Sequence, residues 1–415
     1  MPDIFQLQSP SKLLKAEVEL PSSKSISNRL LIINALSNGA LKIHNLSNSQ
    51  DTQILKNAID NLKINKNIDI GEAGTALRFL TALLANTPGE YLLSGSARMQ
   101  ERPIEEMVNA LISIGADISY AGKPGFAPLK IKGKTLIGGE VTINAGISSQ
   151  FVSGLMLIAP LMKKGLRINL EGHIMSASYI LMTYDLMKKF GIDIKFEKSS
   201  IIVKSGKYLQ GEITVEPDWT SASYFYSILA LAEGGEILLK DIKEKSIQGD
   251  VTTLKLFTPL GIESQYNESG LLIKKTRKTK IKFAEINFLS NPDLAQTMAV
   301  CLAGLNISAV FTGLQTLKHK ETDRISALKK EIKKIGYNFE ETDNDKWFLD
   351  PIEQTEKIKE NPVFETYNDH RMAMSFATLS MKLDRIQIKN PEVVGKSFPG
   401  FWNNLKNLGF VIAKI

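Results

Sequence analysis

The sequence predicts an α/β protein built from six β-α-β-α-β-β units, and two periodic patterns support that prediction. Six strands run into short polar segments that open at once into strongly apolar helices, within residues 19–36, 68–84, 141–159, 213–232, 286–305 and 363–381. Each apolar helix is followed by a turn, another strand and a more amphipathic helix. Strands that begin at Tyr91, Leu166, Ile237, Ala309 and Ile386 lie 75, 71, 72 and 77 residues apart. This spacing is too long for a solenoid repeat and fits the larger unit.

The first unit is shorter than the others, with 50 residues from Leu41 to Tyr91, so we expect its closing hairpin to be trimmed. We expect the strand near residue 213 to open the fourth unit. A chain of 415 residues exceeds what one hydrophobic core serves. Six units divide most simply into two domains of three, with the break between Leu209 and Pro217.

Composition indicates an ordinary globular protein, with 43% hydrophobic and 23% charged residues and no low-complexity tract. The net charge of +7 is spread along the chain, and the aromatic residues lie mostly in apolar runs. Because nucleic-acid binding needs clustered basic residues with interleaved aromatics, we predict no nucleic-acid partner. The single cysteine, Cys301, lies in an apolar helix, and we expect a buried, inert thiol.

The sequence predicts no metal, no cofactor and no membrane span. The four histidines share no metal-ligand spacing, and the longest apolar run, residues 151–162, is far below the roughly 20 residues that cross a bilayer. The first residues do not resemble a signal or transit peptide. We therefore expect a cytoplasmic protein.

The polar segments bring many cations to helix starts, where unpaired N–H groups and the helix dipole favour anions. Two carboxylates, Asp293 and Glu321, accompany them as candidate proton-transfer groups. Several phosphate or carboxylate groups on the ligand would match such a site. The cations are Lys24, Arg29, Arg78, Arg98, Lys320, Arg324, Arg371 and Lys396.

Each segment also has a purely structural interpretation. Ser23, Ser25, the Ser148 segment and Asp293 have the residue types of helix caps, and Lys24 and Arg29 would then face solvent. Arg102 has Glu101 and Glu105 as surface partners, and the segment KETDR (320–324) reads as an exposed ion-pair helix with Lys320 and Arg324 on one face. Seven such coincidences along one chain favour a binding site over seven separate structural explanations.

The ordered motifs resemble those of the 5-enolpyruvylshikimate-3-phosphate synthases, a family of enolpyruvyl transferases. The resemblance spans about residues 19 to 402 and rests on LPSSKSISNR, GEAGTALRF, ARMQERPI, SSQF, PDWTSASYF, NPD, KETDR, YNDHRMAM and GKSFPGFW. It implies two domains, each of three units packed as an inside-out α/β barrel, with the active site in the cleft between them. One domain would comprise 21–217 with most of the acceptor site, and the other 1–20 plus 218–415 with the acid/base groups and part of the donor site.

The implied reaction transfers the enolpyruvyl group of phosphoenolpyruvate to the 5-hydroxyl of shikimate 3-phosphate, in the shikimate pathway to chorismate and aromatic amino acids. Phosphate leaves after a tetrahedral intermediate. The implied catalytic residues are Asp293 as general base, Glu321 as general acid, Lys24 and His370. Shikimate 3-phosphate would contact Lys24, Ser25, Arg29, Ser148, Ser149, Gln150, Ser176, Tyr179, Asp293 and Lys320. Phosphoenolpyruvate would contact Lys24, Gly74, Arg98, Gln150, Arg324, Arg371 and Lys396.

Two positions depart from the family pattern. Glu72 and Thr316 stand where many members have Asn, which puts an amide contact in doubt at each. Gly74 leaves room that an alanine would fill, so the resemblance implies sensitivity to glyphosate.

Two other functions stay open at this point. The UDP-N-acetylglucosamine enolpyruvyl transferases share the architecture and the donor, but that family carries a mobile-loop Cys near Arg98, and ARMQERPIEEM has none. A non-enzymatic polyanion binder would also suit the positive charge, although the two placed carboxylates argue against it. For the enzyme we predict a monomer whose partners are its two small substrates.

Overall fold

The computed structural model of the chain describes residues 3–10, 13–277, 279, 281–342, 345–353 and 360–415, and it confirms the α/β class. Contacts within the chain define two compact units. The N-terminal unit is Ser22–Val215, and the C-terminal unit combines Met1–Pro21 with Glu216–Ile415. The chain thus enters the N-terminal unit after its first strands and leaves it once.

The strands are short and occur in both units. In chain order they are β1 (Ile4–Gln8), β2 (Leu13–Val18), β3 (Leu41–His44), β4 (Asn67–Asp69), β5 (Gly89–Ser94), β6 (Asp117–Tyr120), β7 (Leu129–Gly133), β8 (Gly139–Asn144), β9 (Leu166–Glu171), β10 (Ile194–Glu197), β11 (Ser200–Val203), β12 (Gly211–Thr214), β13 (Gly234–Lys240), β14 (Ile262–Asn267), β15 (Gly270–Lys275), β16 (Phe283–Asn287), β17 (Ser308–Thr312), β18 (Tyr337–Thr342), β19 (Lys346–Pro351), β20 (Val363–Phe364), β21 (Arg385–Lys389) and β22 (Val411–Lys414).

The α-helices alternate between the two predicted kinds. They are α1 (Lys24–Leu36), α2 (Gln50–Asp60), α3 (Gly74–Ala85), α4 (Glu105–Ser113), α5 (Ser149–Ile158), α6 (Ala177–Lys189), α7 (Trp219–Leu231), α8 (Thr253–Phe257), α9 (Ala295–Gly304), α10 (Arg324–Lys333), α11 (His370–Ala377) and α12 (Phe401–Asn407). The odd-numbered helices are the six predicted apolar helices, and the even-numbered helices are the six amphipathic ones. The sixfold repeat is therefore present in the structure.

Six sheets complete the repeat, and most have a parallel pair of strands followed by an antiparallel hairpin. The N-terminal unit has the sheets β4-β5-β7-β6, β10-β11-β9-β8 and β12-β3, and the C-terminal unit has β14-β15-β13-β2, β16-β17-β19-β18 and β20-β21-β1-β22. The β12-β3 sheet has only two strands, so the prediction of a trimmed first unit is confirmed.

The strands next to the two chain crossings are exchanged relative to the repeat pattern, although not relative to the domain bounds that the family resemblance implies. The strand expected to open the fourth unit, β12, pairs in parallel with β3 instead, in the N-terminal unit. The strand that opens the fourth unit is β2, from the start of the chain, which pairs in parallel with β13. Local sequence could not reveal this exchange, because each strand pairs with a partner far away in the chain.

The apolar helices lie at the centre of each unit. Helices α1, α3 and α5 contact one another in the N-terminal unit, and α7, α9 and α11 do so in the C-terminal unit. All thirteen residues of α7 and all eight of α11 are buried, including His370 and Arg371 at the start of α11. Among the described residues, none of these helices has the length and apolar character needed to cross a membrane.

This arrangement determines where the polar segments lie. Helices α3, α5, α9 and α11 each connect the two parallel strands of one sheet, so each begins beyond the carboxyl end of the first of them. In α/β sheets that is the edge where ligands bind. Cys301, in the middle of α9, is fully buried, and burial raises the pKa of its thiol to about 12, which confirms the predicted inert thiol.

Candidate active site

A buried set of charged side chains in the C-terminal unit surrounds Arg324. We name it the Arg324 cluster, and its members are Asp293, Lys320, Glu321, Arg324, Asp369 and Arg371. They come from three segments, at or just before the starts of α9, α10 and α11. The structure thus brings together residues that are up to 78 positions apart in sequence.

Arg324 is the first residue of α10 because Asp323 caps that helix. The Asp323 carboxylate accepts from the backbone N–H groups of Ile325 and Ser326, each over 3.1 Å. Lys320 consequently lies outside the helix, and the predicted placement of Lys320 and Arg324 on one helix face is wrong. The interpretation of this segment as an exposed ion-pair helix is also wrong, since only 1% of Arg324 is exposed.

The Arg324 guanidinium donates to three carboxylates. Its Nε donates to Asp369 Oδ2 over 2.7 Å, its Nη1 to Asp293 Oδ1 over 2.9 Å, and its Nη2 to Glu321 Oε2 over 2.8 Å. Burial lowers the pKa of Arg324, but the three carboxylates outweigh it and hold that pKa above its ordinary value. A planar cation with fixed N–H directions is suited to such a junction.

Asp293 is held between two guanidinium groups. Its Oδ1 accepts from Arg324, and its Oδ2 accepts from Arg371 Nη2 over 2.9 Å. Lys320 Nζ lies 3.7 Å from Oδ1. Burial lowers the pKa of Lys320, with Asp293 opposing that effect. Asp293 lies in a single 3-10 turn, Pro292–Leu294, and its side chain serves the cluster rather than capping α9.

Asp369 is a member of the cluster that sequence reasoning missed. It is fully buried, caps α11 by accepting from Arg371 N over 2.8 Å, and accepts from Arg324 as well. The signal was present in NDHRM, because an Asp directly before an apolar helix is a typical N-cap. The predicted catalytic His370 follows it as the first residue of α11 and is 1% exposed.

The loop before Asp369 has an uncommon backbone. Tyr367 and Asn368 both have left-handed φ values, 52° and 55°. Residues other than glycine seldom adopt that region, and such conformations cluster at functional sites. Lys396 Nζ donates to the carbonyl oxygen of Asn368 over 2.7 Å, so the predicted donor-binding Lys396 lies against this loop.

In the N-terminal unit the predicted residues collect around the starts of α1, α3, α5 and α6. Arg29 of α1 is 2% exposed and is held by neutral acceptors. Its Nε donates to Thr183 Oγ1 over 2.7 Å, and its two Nη atoms donate to Ser153 Oγ and to the carbonyl oxygens of Ser25 and Tyr179. Burial lowers its pKa to about 10.

Helix α1 begins with both a cap and a candidate ligand cation. Ser23 is the cap residue, and its Oγ accepts from Ile26 N over 3.5 Å. Lys24 pairs with Asp51 over 2.9 Å, with only 15% of the Lys24 side chain exposed. The purely structural interpretation is thus right about the Ser23 cap, but it is wrong about Lys24 and Arg29, which do not face solvent.

The two arginines of RMQERP have the opposite environments from those expected. Arg98, the predicted donor contact, has a 40% exposed side chain and pairs with Glu101 over 2.8 Å. Arg102 is only 7% exposed, so the interpretation of this residue as a surface partner of Glu101 or Glu105 is wrong. A Cβ at Gly74 would come 2.3 Å from Arg102 Nη1. The space that Gly74 leaves open is thus occupied by a buried guanidinium at the start of α3.

The starts of α5 and α6 carry the remaining predicted residues. Ser148 caps α5 by accepting from Gln150 N over 3.3 Å, and Ser149, the first residue of α5, is buried. Gln150 Nε2 donates to Thr75 Oγ1 of α3 over 3.0 Å, which links two helix starts. Ser176 precedes α6 with a left-handed φ of 57°, three residues before Tyr179.

The two departures from the family pattern have different environments. Glu72 is half-buried, two residues before α3. Thr316 is 8% exposed, and its hydroxyl has no hydrogen-bond partner among the described residues. The loss of the family's amide contact at both positions stays a prediction.

Removal of the Asp369 carboxylate tests the buried ion pairs of the Arg324 cluster. We expect Asp369→Ala to lower the free energy of unfolding by about 3–5 kcal/mol, because it leaves a buried guanidinium short of one of its counter-ions. The matched change Glu341→Ala removes the partner of Lys318, a pair with 42% and 38% exposed side chains, and should cost less than about 1 kcal/mol. Urea unfolding followed by circular dichroism measures both; equal losses would contradict the prediction.

Comparisons with known proteins show the family of this chain. The family described as EPSP synthase (3-phosphoshikimate 1-carboxyvinyltransferase) matches residues 8–67 and 64–405 of the chain. The chain is 45% identical over 411 residues to the 3-phosphoshikimate 1-carboxyvinyltransferase of Bacteroides fragilis (strain YCH46), which covers 98% of both proteins. It is 35% identical over 426 residues to the protein of the same name from Pseudoalteromonas translucida (strain TAC 125), which covers 96% of this chain and 98% of that protein.

The fold has solved counterparts as well. The 2.37 Å structure of EPSP synthase from Acinetobacter baumannii matches with a TM-score of 0.78 and 20% sequence identity, and covers 99% of this chain and 100% of that one. At that identity the structural match supports the fold, while the two sequence relatives and the family match support the kinship. The chain belongs to the EPSP synthase (3-phosphoshikimate 1-carboxyvinyltransferase) family.

Proposed function

We propose that this chain transfers the enolpyruvyl group of phosphoenolpyruvate to the 5-hydroxyl of shikimate 3-phosphate and releases phosphate. The observation that carries the proposal is the Arg324 cluster, where two carboxylates suited to proton transfer lie within hydrogen-bond reach of buried cations. The names of the relatives support shikimate 3-phosphate as the acceptor.

The N-terminal unit supplies most of the acceptor contacts in this proposal. Hydroxyl and amide groups at the starts of α5 and α6 suit a phosphate, since helix N-termini favour anions. Buried Arg29 supports the acceptor site through Ser25 and Tyr179, whose carbonyl oxygens it holds. The proposed acceptor contacts are Lys24, Ser25, Arg29, Ser148, Ser149, Gln150, Ser176 and Tyr179, together with Asp293 and Lys320 of the C-terminal unit.

The donor brings a phosphate and a carboxylate, and both need cations. Arg324 and Arg371 offer two guanidinium groups, and Lys24, Lys396, Gly74 and Gln150 complete the set that the family resemblance implies. We replace Arg98 by Arg102 in this set. Arg102 is buried against Gly74, whereas Arg98 is paired with Glu101 and has a 40% exposed side chain. A buried fork of N–H donors binds phosphate more strongly than an exposed one.

The reaction balances with the two carboxylates as base and acid. Asp293 takes the proton of the 5-hydroxyl while the hydroxyl oxygen bonds to C2 of the donor. Glu321 gives a proton to C3, which becomes a methyl group. Glu321, now a carboxylate, takes a proton back from the methyl group of the tetrahedral intermediate. The C2–O bond to the phosphate breaks, the double bond is restored, and the proton held by Asp293 leaves with the phosphate. Lys24 and the arginines stabilise negative charge on the departing phosphate, and His370 lies beside Arg371 at the start of α11.

The free protein holds both carboxylates in ion pairs with Arg324. A donor carboxylate that binds Arg324 must compete with Asp293 and Glu321 for the same N–H groups. Donor binding would therefore release the base and the acid next to the reacting atoms. No metal or cofactor enters this scheme, and we further propose that the protein acts as a cytoplasmic monomer.

Phosphate release is the direct test of the reaction. Incubation with shikimate 3-phosphate and phosphoenolpyruvate together should release phosphate, whereas either compound alone should not. Release with UDP-N-acetylglucosamine as acceptor, and none with shikimate 3-phosphate, would assign the chain to the related transferase. Absence of release with both acceptors would favour a polyanion-binding protein.

Substitution of either proton-transfer group tests the mechanism. We expect Asp293→Ala and Glu321→Ala each to lower kcat at least about a hundredfold, because positioned acids and bases contribute about 10²–10⁴ in rate. Circular dichroism should show that the fold survives. The control is Glu341→Ala, which changes an exposed carboxylate. Near-normal turnover in either variant would remove that residue from its role.

The two arginines of one motif form a matched pair for the donor site. We expect Arg102→Gln to raise the KM for phosphoenolpyruvate about tenfold or more, because a charged hydrogen bond is worth about 1.5–3 kcal/mol. Arg98→Gln should change it less than about twofold. The inhibition constant for glyphosate should likewise rise more in Arg102→Gln than in Arg98→Gln. The opposite order would restore Arg98 as the donor contact.

A further inference from the structure

A second buried carboxylate, Asp250, lies near the Arg324 cluster and has no role in the proposed reaction. It belongs to the 3-10 turn Gly249–Thr252, after β13, and is 5% exposed. Its Oδ1 accepts from Asn291 Nδ2 over 2.8 Å, and its Oδ2 accepts from the hydroxyl of Thr220. Both carboxylate oxygens are therefore satisfied, as a buried charge requires.

Asn291 connects Asp250 to the proposed base. It directly precedes the turn Pro292–Leu294 that carries Asp293. Two backbone hydrogen bonds close the turns of this segment. Asn291 N donates to Phe288 O over 3.1 Å, and Leu294 N donates to Asn291 O over 3.2 Å. The hydrogen bond from Asn291 to Asp250 anchors this local turn to a residue that lies 41 positions earlier in the sequence.

The segment that carries Asp250 is itself held against the start of α7. The Gln248 side chain donates to Pro217 O over 2.8 Å and accepts from Trp219 N over 3.0 Å. Thr220, the second residue of α7, then binds Asp250. Asn291 is thus attached to a frame that the most buried helix of the unit supports.

The charge environment argues against a role in folding stability alone. Burial raises the pKa of Asp250 to about 6. The hydrogen bonds from Thr220 and Asn291 and the charge of Arg371 lower this pKa, and the charge of Asp293 raises it further. Two carboxylates from different segments thus lie close enough to repel each other. Such an arrangement costs stability. A carboxylate that is kept here despite this cost favours a role beyond folding.

We propose that Asp250 is a positioning residue that anchors Asn291 and thereby holds the Asp293 turn in the orientation that the transfer reaction needs. This inference rests on the proposed function, because it assigns Asp250 to the support of the general base. Asp250 acts through Asn291 and does not touch the substrates. Displacement by about 1 Å of a catalytic group can cost about a hundredfold in rate.

Two substitutions at Asp250 separate positioning from a general loss of structure. Asp250→Ala removes the anchor, and we expect kcat to fall about 10- to 100-fold while the KM of each substrate changes less than about threefold. Asp250→Asn keeps an amide oxygen for Asn291, and Thr220 can accept from its NH2 group, so we expect most of kcat to return. Ser227→Ala removes a buried hydroxyl bonded to Thr378 in the same unit and should leave kcat unchanged.

Coupling with Asn291 tests the route. If Asp250 acts through that amide, the double variant Asp250→Ala with Asn291→Ala should be no slower than the slower single variant. Unchanged kcat in Asp250→Ala would overturn the inference, and so would additive losses in the double variant. In both cases phosphate release by the wild type would still support the proposed function.

Hydrogen exchange gives a readout that does not depend on activity. In Asp250→Ala the amides of Asn291 and Leu294 should exchange at least about tenfold faster than in the wild type, because the anchored turn opens more often. Asp250→Asn and Ser227→Ala should leave them near wild type. Equal exchange in all variants would overturn the inference even if the wild type proved inactive.

Discussion

The chemistry of the C-terminal unit depends on one buried guanidinium that is held by three carboxylates. Because a guanidinium stays charged in proteins, the buried Arg324 needs hydrogen-bond acceptors, and here these are carboxylates from segments that the fold brings together. Asp293, Glu321 and Asp369 meet this requirement from three different segments. The ion pairs therefore join the starts of three helices and leave two carboxylates, the proposed base and acid, beside cations that suit an anionic substrate.

The N-terminal unit solves a similar problem with different partners. Arg29 is buried as deeply as Arg324, but hydroxyl and carbonyl oxygens hold it, and burial lowers its pKa to about 10. No carboxylate is among these contacts of Arg29. The two units thus share an architecture and differ in chemistry, because small polar residues surround one arginine and acids surround the other. Such a division is what an acceptor site and an acid/base site would need.

Much of the fold could be predicted because its signals are local. Apolar helices, turns and spacing depend on neighbouring residues, and these patterns identified the twelve helices and the trimmed first unit. The exchange of β2 and β12 could not be predicted from the residues, since strand pairing depends on distant partners. The candidate site divides in the same way. Asp293, Arg324 and Arg371 come from polar segments that the pattern marks, but their mutual distances follow only from tertiary contacts.

By itself, the sequence determined the repeated α/β units, the inert cysteine and the polar helix starts, because periodicity and residue type decide these. Only the tertiary structure decided which of the candidate side chains are buried together. It placed Arg98 and Arg102, which flank the three-residue turn Met99–Glu101, in different environments, because Arg102 packs against Gly74 and Arg98 pairs with Glu101. It also gave Asp250 and Asp369 their neighbours. Hydrogen bonds between segments far apart in the chain set these environments, and no local pattern contains them.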